Sequence, residues 1–128
     1  MTNLAKITCI EDLRRIYKFK VPRMFYDYCD SGSYTESTYR ANIDDFQALK
    51  FRQRVAVNME GRSTQTKMIG ETVSMPVAIA PTGLTGMQRA DGEILAAKAA
   101  EHFGIPFTLS TMSICSIEDV AANTSRPF

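Results

Sequence analysis

The sequence is poor in the residues that usually announce a chemistry. It holds one histidine, His102, and three cysteines, Cys9, Cys29 and Cys115. An odd cysteine count without CxxC spacing argues against a disulfide framework and against a zinc site, and it fits a reducing cytoplasm. His102 falls on a helical stretch just before Gly104, far from a strand end, so it reads as a surface or packing residue and not as a base. Neither GxGxxG nor GxxxxGK[ST] occurs, which removes the Rossmann and Walker phosphate loops. A dominant charge is missing too: 15 basic against 14 acidic side chains leave a net +1, and no overall field draws the chain to nucleic acid. No stretch approaches the roughly 20 apolar residues that span a bilayer. Glu11, Asp12, Arg14 and Arg15 interrupt the N-terminus before a signal-peptide core could form. There is no internal repeat, low-complexity segment or Gly/Ser linker.

What remains is an ordinary globular composition, 45% hydrophobic and 23% charged over 128 residues, with room for one domain at most. The first fifty or so residues read as local helices. Thr8 and Glu11 have capping-box spacing ahead of Ile10, Leu13 and Tyr17, with Arg14, Arg15 and Lys18 on the solvated face. Pro22 suits a first helical position, Phe25, Tyr28 and Cys29 share a face, and Gly32 supplies a stop. Ser33 and Glu36 repeat the capping-box spacing before an apolar face of Tyr39, Ile43 and Phe46. Phe51, Val55 and Val57 then alternate with polar residues as a short strand, and Thr64 to Thr72 predicts extended structure turning at Gly70-Glu71.

From Met75 the pattern changes. Val77-Ala78-Ile79-Ala80 is a continuous apolar run between Pro76 and Pro81, which predicts a parallel strand buried on both faces. Asp91 opens an alanine-rich helix that Gly104 and Pro106 end, and Phe107-Thr108-Leu109 is the next strand. The two strands begin about thirty residues apart with a helix between them, the signature of a βαβ crossover. Ser116 and Asp119 start another helix. Two such units cannot bury a parallel sheet, whereas a closed barrel of eight needs about 250 residues. The expected fold is therefore α/β, the N-terminal part of a (β/α)8 TIM barrel left incomplete in this chain. Residues 1–63 form a helical cap with a short strand, and 64–128 form a hairpin and the first two β/α units.

In parallel α/β folds ligands lie at the carboxyl ends of the strands. Two segments qualify. In Pro81-Thr82-Gly83 the proline donates no hydrogen bond, Thr82 offers a hydroxyl, and Gly83 lets a ligand approach the backbone. Ser110-Thr111-Met112-Ser113 gathers hydroxyls around one flexible apolar side chain. Polar loops also occur simply to turn the chain, and pattern alone leaves both readings standing. Cys29 has no local base and reads as packing, as do Tyr26 and Tyr28.

The segments Pro22-Arg23-Met24-Phe25-Tyr26-Asp27-Tyr28 and Met75-Pro76-Val77-Ala78-Ile79-Ala80-Pro81-Thr82-Gly83 resemble the FMN-dependent L-2-hydroxy acid dehydrogenases and oxidases. The likeness continues through Asp91-Gly92-Glu93, Leu109-Ser110 and Ser116-Ile117-Glu118-Asp119. It implies FMN as cofactor and oxidation of an L-2-hydroxy acid, L-lactate being the expected substrate, to the 2-oxo acid. Tyr28 matches a tyrosine whose hydroxyl binds the substrate carboxylate, while Tyr26 matches a neighbour without that role. Pro81, Thr82 and Gly83 match a strand end that contacts the flavin, and Ser110 a hydroxyl on its polar ring edge. Met112 stands where glycolate oxidase carries a pocket tryptophan, which bears on substrate size.

Several oxidases of that family carry alanine at the position of Gly83, so the resemblance leans towards a dehydrogenase passing electrons to a quinone or similar acceptor. The catalytic histidine, the carboxylate-clamping arginines and the lysine near the flavin are all expected beyond residue 128. No catalytic residue is thus expected in this chain, which alone would be inactive. The rival reading is a non-catalytic fragment, competent only when assembled with the C-terminal remainder of the barrel. A homo-oligomer is implied, cytoplasmic or held peripherally on the inner membrane face.

Overall fold

The computed structural model describes residues 4–128. They fall into two compact units, one ending at Val57 and the other running from Asn58 to Phe128.

The first unit is helical. After a short 3-10 turn at Leu4–Lys6 come α1 (Ile10–Lys20), α2 (Arg23–Asp30) and α3 (Ser37–Ala48). A forked ion pair ties α1 to α2, with Arg14 Nε 2.5 Å from Asp30 Oδ1 and Nη2 2.8 Å from Oδ2. The guanidinium holds the Asp30 carboxyl below its usual range. Tyr26 is buried against it, its ring 5.7 Å from that of Tyr17 and beneath the Lys18 ammonium at 5.6 Å. Arg14 is therefore a helix-to-helix tie and not merely part of a solvated face.

Two expected capping boxes do not form. Thr8 instead directs both its N–H and its hydroxyl to Asp12 Oδ2, at 3.0 and 2.9 Å, and Cys9 caps α1 without a side-chain bond. Glu36 is itself the cap of α3, at φ 58°, with its carboxylate accepting from Gly32 N at 3.1 Å. In each case another partner in reach displaces the box: the Asp12 carboxylate for Thr8, and the Ser33 carbonyl and Gly32 N–H for Glu36. Pro22 precedes α2, and α2 ends at Asp30 before reaching Gly32. The anticipated strand through Phe51, Val55 and Val57 is irregular chain, and all three side chains are exposed.

The second unit opens with an antiparallel hairpin, β1 (Thr66–Met68) against β2 (Glu71–Val73), in register Thr66↔Val73. Its two-residue turn is Ile69-Gly70, both at positive φ, as a primed hairpin turn requires, and so lies one residue before the expected Gly70-Glu71. Next come α4 (Thr85–Gln88), α5 (Gly92–Phe103) and α6 (Ile117–Asn123). Alanine, the best helix former, fills α5, and the chain leaves it at Gly104 with φ 68°. At α6 the Ser116 and Asp119 box does form, Asp119 N donating to Ser116 Oγ at 3.0 Å.

The two apolar runs meet as parallel chain. Ile79 pairs with Phe107, Ile79 N donating to Pro106 O at 2.9 Å and Thr108 N to Ile79 O at 3.1 Å. With α5 between them in sequence, this is the βαβ unit. Ala97, Ala100, Phe107 and Val120 form the core under α5 and α6, with Ile79, Ile94 and Leu109 packed against it. The first run is not buried on both faces, however: Val77 is half exposed and Ala78 and Ala80 are exposed. A central parallel strand is enclosed by strands on both edges and layers on both sides. Among the described residues this run has one bridged neighbour.

Candidate functional site

The bridge at Ile79 and Phe107 sends both chains out at the same end. The residues that follow converge there. Leu84 N donates to Met112 O at 2.9 Å, stitching the loop after the first run to the loop after the second. Gly83 lies where a Cβ would sit 3.2 Å from Met112 Cβ and 3.7 Å from Ser110 Oγ. The absent side chain is thus what lets the loops close to this distance.

Hydroxyl chemistry is turned partly inward. Ser110 Oγ accepts from Met112 N at 3.1 Å, which leaves its proton for an acceptor outside the loop. Thr82 Oγ1 makes one long bond to Ala80 O at 3.3 Å, and Thr82 O accepts from Thr85 Oγ1 at 3.0 Å. Pro81, Thr82 and Met112 are exposed, whereas Gly83 and Ser110 are half-buried. Beneath the loops a cavity of about 120 Å³ is lined by Thr82, Thr85, Glu93, Ala96, Phe107 and Ser110, among others. One hydroxyl with a proton left to give, that of Ser110, beside the bare backbone of Gly83 suits a flat, polar-edged ring system such as a flavin.

One residue of this region was not singled out by pattern. Glu93, 2% exposed, sits in the first turn of α5, and its Oε1 accepts from Gly86 N at 2.9 Å and from Ile114 N at 3.0 Å. Its Oε2 is buried and makes no hydrogen bond among the described residues. Burial raises the carboxyl, but the N–H groups of Ile114 and Gly86 outweigh it and hold it below the ordinary carboxylate range. A depressed carboxyl of this kind stabilises the fold above its unfolded value and stops doing so as pH falls through the folded one. The Cys115 thiol is pushed up, by burial and by the carboxylate beside it. The sequence signal was an acid in the first turn of an alanine-rich helix, which alone means only a favourable dipole contact.

Tyr28 belongs to the first unit, on α2, and is 64% exposed, while its neighbour Tyr26 is buried. His102 is exposed on α5 and edges onto Phe103, with ring centroids 5.6 Å apart. Cys9, Cys29 and Cys115 are free thiols, and no cluster of potential metal ligands occurs among the described residues.

The family model described as FMN-dependent dehydrogenase matches residues 17–128. The chain belongs to the FMN-dependent dehydrogenase family. FMN is that family's cofactor. An L-lactate dehydrogenase of Pseudomonas putida is 48% identical over 121 residues, covering 94% of this chain and 32% of that protein. An L-lactate dehydrogenase of Stenotrophomonas maltophilia is 46% identical over the same shares. Among solved structures, the monotopic membrane protein (S)-mandelate dehydrogenase superposes with a TM-score of 0.88 at 38% identity, over 94% of this chain and 32% of that one. A mandelate oxidase gives a TM-score of 0.89 at 28% identity, over 96% and 36%. The chain thus spans about a third of the length of the relatives it matches. Its fold is that of the N-terminal part of an FMN-dependent (β/α)8 barrel.

Proposed function

We propose that the whole protein oxidises L-lactate to the 2-oxo acid and that this chain supplies part of the flavin seat and part of the substrate site. The observation that carries the reading is the closure of Pro81-Thr82-Gly83 on Ser110-Thr111-Met112 at one end of the parallel pair. The 48% identity to an L-lactate dehydrogenase supports the choice of substrate.

In this reading Gly83 admits the flavin to the backbone, Pro81 and Thr82 border it, and Ser110 donates its remaining proton to a polar ring edge. Tyr28 donates its phenol proton to the substrate carboxylate, and Met112 shapes the pocket around the substrate's side chain. FMN, when bound, takes up the two electrons released as the substrate loses its α-hydrogen and its hydroxyl proton. The share of residues 1–128 is binding and orientation. The group that removes the proton is expected elsewhere in the barrel, so the chain by itself is expected to turn over no lactate.

The test is a chimera in which this chain replaces the matching third of the Pseudomonas putida L-lactate dehydrogenase. It is expected to hold FMN and to lose the flavin's visible colour when L-lactate is added without oxygen. Bound flavin that stays oxidised with L-lactate would sink the substrate assignment, and bleaching by mandelate alone would reassign it.

The same proposal takes a quinone as electron acceptor, a homo-oligomer as the working state, and peripheral attachment to the membrane. The monotopic (S)-mandelate dehydrogenase supports the last of these. Among the described residues no helix is long and apolar enough to cross a membrane. The complete protein is therefore expected in the membrane fraction and to be released by high salt or alkaline wash; recovery wholly in the cytosolic fraction contradicts the attachment.

A further inference from the structure

We propose that Glu93 is a positioning residue that clasps the two strand-end loops together and so sets the width of the flavin seat. The inference rests on the flavin reading of those loops. Its evidence is geometric: one buried oxygen accepts from Gly86, just past Pro81-Thr82-Gly83, and from Ile114, just past Ser110-Thr111-Met112. The two donors are 7 and 21 residues from Glu93 in sequence. No element of regular structure links them directly, so the carboxylate does what a sheet hydrogen bond would do further down.

The surroundings are shaped to this contact. A Cβ on Gly86 would lie 2.6 Å from Ile114 Cβ and 2.9 Å from Glu93 Oε2, so only glycine lets the three groups meet. A Cβ on Gly92 would lie 2.7 Å from Thr85 O, which brings the first turn of α5 equally close to the loop. Glu93 also lines the 120 Å³ cavity together with Thr82 and Ser110. Its effect on the seat passes through backbone: Leu84 N holds Met112 O between the clasp and Gly83. A buried acceptor removed from two N–H groups leaves both without a partner, and the loops regain the freedom to separate.

The experiment compares Glu93→Ala and Glu93→Gln in the lactate dehydrogenase chimera, well below the melting temperature of each. The glutamine amide oxygen can replace Oε1 towards both N–H groups, so Glu93→Gln is expected to keep FMN affinity within about threefold. Glu93→Ala is expected to weaken FMN at least about tenfold, because both N–H groups lose their acceptor. It should also speed amide exchange at both 81–86 and 110–114 while the α5 amides stay protected. A Glu93→Ala protein that melts earlier yet binds FMN normally, with both loops protected, would reduce Glu93 to packing and overturn the proposal. If the parent chimera binds no FMN, the flavin reading fails by itself. The exchange comparison then still decides the clasp, and the joint loss of protection in the two loops would support it.

Discussion

Replacing Phe107 by alanine is expected to cost about 3–5 kcal/mol of stability, the usual range for emptying a core site of its ring. Phe107 is 8% exposed and joins the parallel pair to the core of α5 and α6. It is the bridge partner of Ile79, a member of the cluster with Ala97, Ala100 and Val120, and a wall of the cavity that Glu93 also lines. Its ring lies 6.3 Å from that of Phe128. The alanines opposite it are short and cannot swing in to refill the space, so the collapse that moderates such substitutions is restricted here. Leu95, on the same helix as Ala97 but half exposed, makes the contrast: Leu95→Ala is expected to stay within about 0.5 kcal/mol. Urea midpoints of the two variants in the chimera settle it. A cost below about 1 kcal/mol at Phe107 would mean that the cluster is not the core.

That contrast also shows which features a linear reading can reach. The helices were legible because their signals are local: the alanine run of α5, Gly104 at its end, and the Ser116 and Asp119 box all sit within one or two turns. The same box spacing at Thr8 and at Ser33 failed for an equally local reason, since the Asp12 carboxylate drew Thr8 and the Ser33 carbonyl took the Glu36 N–H. The apolar run at Val77 announced a parallel strand correctly, because continuous apolar composition reports the demands of a filled sheet. Its enclosure depends on barrel strands outside these residues, which is why Val77 stays half exposed here.

Pro81-Thr82-Gly83 and Ser110 could be placed at strand ends by architecture alone. That they touch is a fact of pairing, which sequence spacing does not contain. Glu93 was the least accessible of all. Nothing in an acidic residue at a helix start distinguishes a surface dipole contact from a buried acceptor shared by two loops, and the distinction lies entirely in Gly86 and Ile114 coming to it.

Tyr28 carries the second large expectation, and it is one of activity and not of stability. If its phenol proton is given to the substrate carboxylate, Tyr28→Phe removes a hydrogen bond to a charged group, worth about 1.5–3 kcal/mol, and lowers kcat/KM for L-lactate roughly 10- to 150-fold. The fold should not notice, because the side chain is 64% exposed and packs little within its own unit. The FMN content should not change either. Tyr26, two residues earlier, provides the control. It is buried under Lys18 beside Asp30, which raises its phenol, so Tyr26→Phe is expected to loosen the α1 and α2 pair and lower the melting temperature. The folded enzyme should keep its kcat/KM. A Tyr28→Phe enzyme with unaltered kcat/KM would overturn the carboxylate role of Tyr28; if Tyr26→Phe in addition keeps its stability and loses activity, the contact moves to the buried face of α2.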